Sequence, residues 1–231
     1  MKNYTIIHTL CSFIIVLSLS CTSNRQPDSA HDHDTTHTQN NSTQHDTLSS
    51  TTAEPQSATE AAKAPANTEE IQKAYAGIMD KAEKGALDST TFKYSCNGEK
   101  NGTVSYYTEK GRLRLIVHQY NEYDHYSATD RYFVQDSTLF FVHRQNTTWS
   151  FESGPEGTTR DNITEQRIYL VNQKPVKCLE KKYTVRSKAK NNPDPATIPN
   201  KETNCSSIKS VITPYQLLFK HRQKPTQGCL E

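Results

Sequence analysis

The chain has 231 residues, 33% of them hydrophobic and 23% charged, and carries a formal charge of +2 at pH 7. Its one apolar run of any length, Leu10 to Leu19, is shorter than the roughly 18 residues a membrane span needs, which excludes a bundle of spanning helices. The small net charge excludes a polyanion-binding surface spread over the whole chain.

Residues 1–20 read as an export signal: Lys2 supplies the positive charge ahead of the apolar run. Leu17-Ser-Leu-Ser-Cys21 follows, and an aliphatic run ending in a small residue before Cys resembles the lipobox of bacterial exported lipoproteins. The usual Leu three places before the Cys is Ser18 here, flanked by Leu17 and Leu19. Ser18 and Ser20 also suit ordinary signal cleavage, so that route stays open. The resemblance implies a palmitate-bearing lipid anchor on Cys21, in a cell-envelope membrane facing the periplasm or the cell surface. Cysteine parity agrees. Cys11 leaves with the signal, and lipid on Cys21 leaves Cys96, Cys178, Cys205 and Cys229 to pair.

Residues 21–67 form a stalk of different material. Between Thr22 and Asn67 there is no aromatic residue and no Gly, and the only aliphatic besides Ala is Leu48. Such a segment buries too little apolar surface to offset chain entropy and is expected to be disordered. His31, His33, His37 and His45 with Asp32, Asp34 and Asp46 could ligate zinc, copper or nickel, but nothing local would hold them in geometry, and we expect no metal or cofactor. Asp28-Ser-Ala, Asp34-Thr-Thr and Asp46-Thr-Leu resemble the O-glycosylation motif of exported Bacteroidota proteins. That resemblance makes Ser29, Thr35 and Thr47 candidate sugar sites.

The body is expected to be a single domain, residues 68–231, of α+β class. We expect an antiparallel β-meander, drawn as a curved sheet, with one N-terminal helix and a short C-terminal helix. Ile71, Tyr75, Ile78, Met79 and Ala82 fall on one helical stripe, with Asn67 to cap, Glu70 three residues on and Gly85 to stop. Phe92, Tyr94 and Cys96 then alternate as a first strand, and Asn97-Gly98 and Asn101-Gly102 read as turns. From Val104 onward period-two alternation continues, with turns expected near Lys110, Asp136 and Asn172. The stretch from Arg131 aligns with that from Arg167 at an offset of 36: Phe133 matches Tyr169, Asp136 matches Asn172 and Val142 falls opposite Cys178. Gly154-Pro-Glu-Gly157 breaks the sheet, and Ser187 to Asn204 reads as a Pro-rich loop. Pro214 is expected as the first residue of the C-terminal helix, capped by Thr213.

Four cysteines allow three connectivities. Closing the Pro-rich loop favours Cys178 with Cys205, which leaves Cys96 with Cys229. Lys181, Lys182, Arg186, Lys188 and Lys190 cluster without any nucleic-acid motif. They read as a solvated face guarding a strand edge, and nucleic acid is not an expected partner. No GxSxG, HExxH or CxxC accompanies His118, His125, His143, Asp124 and Asp130. The aromatic residues between Tyr106 and Tyr169 exceed what one sheet face needs for a core. Some are therefore expected at a surface that takes a sugar, peptide or lipid. The expected role is binding or structural, not enzymatic. The alternative is an envelope hydrolase using His and Asp of the sheet.

Overall fold

A computed structural model describes residues 63–205 and 207–230. The signal, Cys21, the stalk histidines, Ser29, Thr35 and Thr47 lie outside them. The described residues include a short segment ahead of the boundary at 68 drawn from composition. Pro65 is buried, and the Lys63 carbonyl accepts a hydrogen bond from the Gln135 side-chain amide. Proline needs no backbone partner for its nitrogen, so it can seat there without regular structure.

Helix α1 spans Thr68–Glu83. Asn67 caps it as the sequence implies: its Oδ1 accepts from the Glu70 N–H at 2.9 Å, and Glu70 reaches back to the Asn67 amide and the Ala66 N–H. Gly85 follows at φ +66°, the left-handed conformation that stops a helix. Eight strands succeed it: β1 Asp88–Cys96, β2 Lys100–Glu109, β3 Arg112–Glu122, β4 Tyr126–Gln135, β5 Thr138–Phe151, β6 Thr159–Val171, β7 Lys174–Arg186 and β8 Lys201–Glu202. They pair antiparallel in chain order as one open sheet. Helix α2, Lys209–Gln223, closes the described chain. The α+β meander is thus the one the alternation implies.

Three hairpins in this sheet share one design. β2–β3, β4–β5 and β6–β7 turn on two residues with positive φ: Lys110 and Gly111, Asp136 and Ser137, Asn172 and Gln173. That is the two-residue turn whose twist matches the strands. In each, the register slips by one residue at the same distance past the turn, leaving Arg114, Phe140 and Val176 as the extra residues of a β-bulge. The 36-residue offset seen in the sequence is therefore a structural repeat, and a third copy precedes it. Equal turns and equal bulges line up equivalent positions as rows across six strands. One row is Tyr106, Ile116, Tyr132, Val142, Ile168 and Cys178; the next, on the opposite face, is Tyr107, Leu115, Phe133, Phe141, Tyr169 and Lys177.

Those two rows explain the surplus of aromatics. The first packs under α2 with Val211, Tyr215 and Leu218; the second packs with Ile71, Ile78 and Tyr75 of α1. Both faces of the sheet are core at this end, so Tyr106, Tyr132, Phe133, Phe140 and Phe141 are fully buried. A sheet with a single buried face would have left half of them outside.

Four details differ from the sequence reading. Asn101-Gly102 lies inside β2 and makes no turn; the Tyr94 ring covers Gly102, and a Cβ there would stand 3.0 Å from the ring and 2.8 Å from the Tyr120 Cβ. The C-terminal helix is not short but 15 residues, and Pro214 lies inside it. The Pro-rich loop holds a 3₁₀ turn, Pro195–Thr197, and the two-residue strand β8. Cys96 and Cys178, both expected to be buried because each continues the apolar face of its strand, differ: Cys96 is half-buried, while Cys178 is fully buried. Disulfides join Cys96 to Cys229 and Cys178 to Cys205, the pairing that closing the loop favours. Two disulfides in one body belong to an oxidising, non-cytoplasmic compartment. No helix among the described residues is long and apolar enough to cross a membrane.

Candidate ligand site beneath the C-terminal helix

Beyond the apolar row under α2, the next row on the same face is polar. After the apolar Val104 of β2 it runs His118, Asp130, Arg144, Gln166 and Glu180 across β3 to β7. His118, Asp130, Arg144 and Gln166 line a cavity of about 340 Å³ whose roof is Pro214, Leu217 and Leu218 of α2, with Leu230 beside them. Tyr120, Tyr126 and Lys100 form one side. Helix α2 roofs this polar row, and the strand register fixes the cavity's floor.

Pro214 explains how α2 sits there. A proline inside a helix donates nothing to the carbonyl four residues back, here Ser210. Arg144 supplies that missing donor from the sheet, with Nη2 2.8 Å from the Ser210 oxygen. Its Nε lies 3.7 Å from Asp130 Oδ2, close enough for an ion pair but not for a hydrogen bond, and that buried N–H has no partner. Tyr132 donates to the same carboxylate oxygen at 3.2 Å.

The charges follow from these surroundings. Burial raises the Asp130 carboxyl above its ordinary range, against the pull of Arg144 and the Tyr132 hydroxyl. Burial works against the Arg144 charge, but Tyr132 and Asp130 outweigh it and hold the guanidinium above its usual pKa. His118 is 7% exposed, and burial, then Lys100 and His221, push its imidazole down to about 4. It is therefore neutral at pH 7, stacked on Tyr120 at 4.5 Å with Nε2 2.8 Å from the Tyr94 hydroxyl. Lys100 sits 4.4 Å over the Tyr120 ring and pairs with Glu122 at 2.6 Å. The cavity thus offers aromatic and aliphatic walls, one neutral imidazole and one unmatched guanidinium N–H.

The other sequence candidates scatter. His125 is exposed in the β3–β4 turn, 4.2 Å from the Trp149 ring, and the Asp124 carbonyl accepts from the indole N–H. His143 lies on the opposite face of the sheet, beside Glu165 at 3.5 Å. Of the three histidines, His118 lines the cavity beneath α2 together with a carboxylate, Asp130. The sequence reading missed Arg144 as a site residue, whereas Tyr120 and Tyr126 are among the aromatics it expected at a binding surface. Arg144 carries a signal in hindsight, since a charged residue interrupts the inward-facing positions of β5 after Val142. No group of three or more possible metal ligands occurs among the described residues.

Compared with known proteins, the chain matches no family model, no curated relative and no solved structure.

Proposed function

We propose that this is a lipid-anchored envelope protein that binds a small amphipathic ligand in the cavity beneath α2. The observation that carries the reading is the cavity itself, with a polar row for its floor, an apolar helix for its roof and a buried Arg144 N–H without a partner. Pockets that take small molecules combine apolar walls with a few fixed polar groups in this way. The anchor rests on the lipobox-like run before Cys21, and the disulfides fit an exported body.

Each part has its own test. Cys21→Ser, expressed in a bacterium that processes lipoproteins, should lose incorporation of a clickable palmitate analogue and leave the membrane fraction. Retention of both would remove the anchor. For the site, an anilinonaphthalene sulfonate dye should bind the purified chain at one equivalent. Thr164→Phe, which fills the cavity from β6, should abolish binding without moving the unfolding midpoint by much. Equal binding by that variant would place the ligand elsewhere.

His118 and Asp130, paired across β3 and β4 and sharing this cavity, support a second reading as an envelope hydrolase. His118 would then act as base toward a water. Hydrolysis of a short-chain nitrophenyl ester, lost in His118→Ala while dye binding persists, would favour that reading over simple binding.

A further inference from the structure

On the α1 face, the row beyond the aromatic one runs Ser105, Val117, Arg131, His143, Arg167 and Leu179. These are equivalent positions of the three hairpins, and the repeat supplies an arginine twice. Arg131 and Arg167 stand on the strands either side of β5 and bracket His143. Two strand spacings are about 10 Å, within the reach of two arginine side chains converging on one group. Both arginines are half-buried.

Their charges are not matched. Among the described residues no carboxylate pairs with Arg131 or Arg167, and the buried Nε of Arg167 and Nε2 of His143 lack hydrogen-bond partners. Glu165, 3.5 Å from the His143 ring, is also taken by Lys181 at 3.3 Å and by the Tyr183 hydroxyl at 2.9 Å. His143 feels both guanidiniums. After burial, Arg167 and then Arg131 are what depress its imidazole to about 4, against the opposing pull of Glu165. The cluster therefore carries a local charge of two guanidiniums around a neutral ring, on a sheet face where polar groups are ordinarily paired.

We propose that Arg131, His143 and Arg167 form an oxyanion site, distinct from the cavity beneath α2 and suited to a phosphate-type dianion. Two guanidinium forks match the charge and the tetrahedral oxygens of such a group, and a planar fork on each side gives bidentate bonds that an ammonium cannot. The dianion is either free phosphate or the phosphorylated head of a larger molecule such as a lipid.

Inorganic phosphate, titrated into the full chain at low ionic strength, is the probe. Saturable binding at submillimolar concentration is expected, with shifts at the Arg131 and Arg167 Nε–H resonances and a raised unfolding temperature. Arg131→Gln and Arg167→Gln should each weaken it by about tenfold or more, the loss typical of one charge-assisted bond. Arg131→Lys keeps the charge but loses the fork, and should fall between wild type and Arg131→Gln. Vesicles of phosphatidylglycerol and of phosphatidic acid distinguish the sources. Capture by phosphatidic acid alone, competed by phosphate, assigns a lipid phosphomonoester, and phosphate binding without vesicle capture assigns the free ion. No saturable phosphate binding by the wild-type chain, or equal binding by both glutamine variants, would overturn the site.

Discussion

Gly102 is the residue whose side chain the fold least tolerates. It faces the Tyr94 ring across the β1–β2 ladder, and a methyl group there would collide first with the Gln119 carbonyl oxygen and the Tyr120 Cβ of β3, then with that ring. Gly102→Ala should destabilise by about 1–3 kcal/mol, the cost of overpacking a filled site. A lowered urea midpoint at constant slope would show it. His118 and His143 make a second case at this scale. Both fold with pKa about 4 against an ordinary 6.5. Above pH 6.5 both states are unprotonated and the two histidines cost nothing. As pH falls from 6.5 toward 4 the unfolded chain takes up protons that the native one refuses, so stability falls. Each histidine accounts for up to about 3 kcal/mol over that window. The urea midpoint should therefore drop between pH 7 and pH 4.5, and drop less in His143→Gln.

At the scale of elements, the hairpins and α2 carry the argument. Hairpin β2–β3 has Gly111 at its second turn position, whereas the other two hold Ser137 at φ +60° and Gln173 at +59°. A side chain in the left-handed region is strained. Ser137→Gly and Gln173→Gly should therefore each stabilise by about 1 kcal/mol, although glycine elsewhere in a strand would do the reverse. Thermal melts of the two variants decide it, and an unchanged or lower midpoint would mean that the native side chains hold the turns by other contacts. For α2, the interior proline is tolerated because Arg144 satisfies Ser210. Arg144→Met would leave that carbonyl without its sheet partner and Asp130 buried without its counter-charge. Removing one partner of a buried pair costs about 3–5 kcal/mol, and denaturant unfolding should register a loss of that order.

At the scale of the molecule, the meander pairs only strands adjacent in sequence, and besides the helices packed on it two long-range ties are covalent. Cys96–Cys229 spans 133 residues and fastens the C-terminus to β1; Cys178–Cys205 spans 27 and fastens the Pro-rich loop to β7. Restricting the unfolded chain over those separations contributes about 5 and about 3.5 kcal/mol respectively. The Cys96→Ala/Cys229→Ala pair should therefore lower stability more than Cys178→Ala/Cys205→Ala. Leu230, next to Cys229, lines the cavity beneath α2. The first double variant should also weaken dye binding, while the second should leave it intact.

The alternation from Val104 to Arg186 by itself determined the meander and its turns at Lys110, Asp136 and Asn172, because period two with a left-handed break admits one local structure; the β3–β4 turn at Tyr123 carries no glycine or Asn-Gly signal and was not legible. The Asn67 cap, the Gly85 stop and the apolar stripe between them did the same for α1. What the sequence could not weigh was packing. Alternating strands show which residues share a face but not whether a helix covers it, so the aromatics of the second face read as surplus until α1 and α2 were seen on opposite sides. Pro214 looked like a helix start because its missing N–H must go somewhere, and only the tertiary structure revealed Arg144 answering the Ser210 carbonyl. Asn101-Gly102 looked like a turn because the need for a small residue under Tyr94 is a contact, not a local preference. The rows that place His118 beside Asp130, and Arg131 and Arg167 around His143, depend on bulges at matched positions in three hairpins. Register is a property of paired strands, and no single strand carries it.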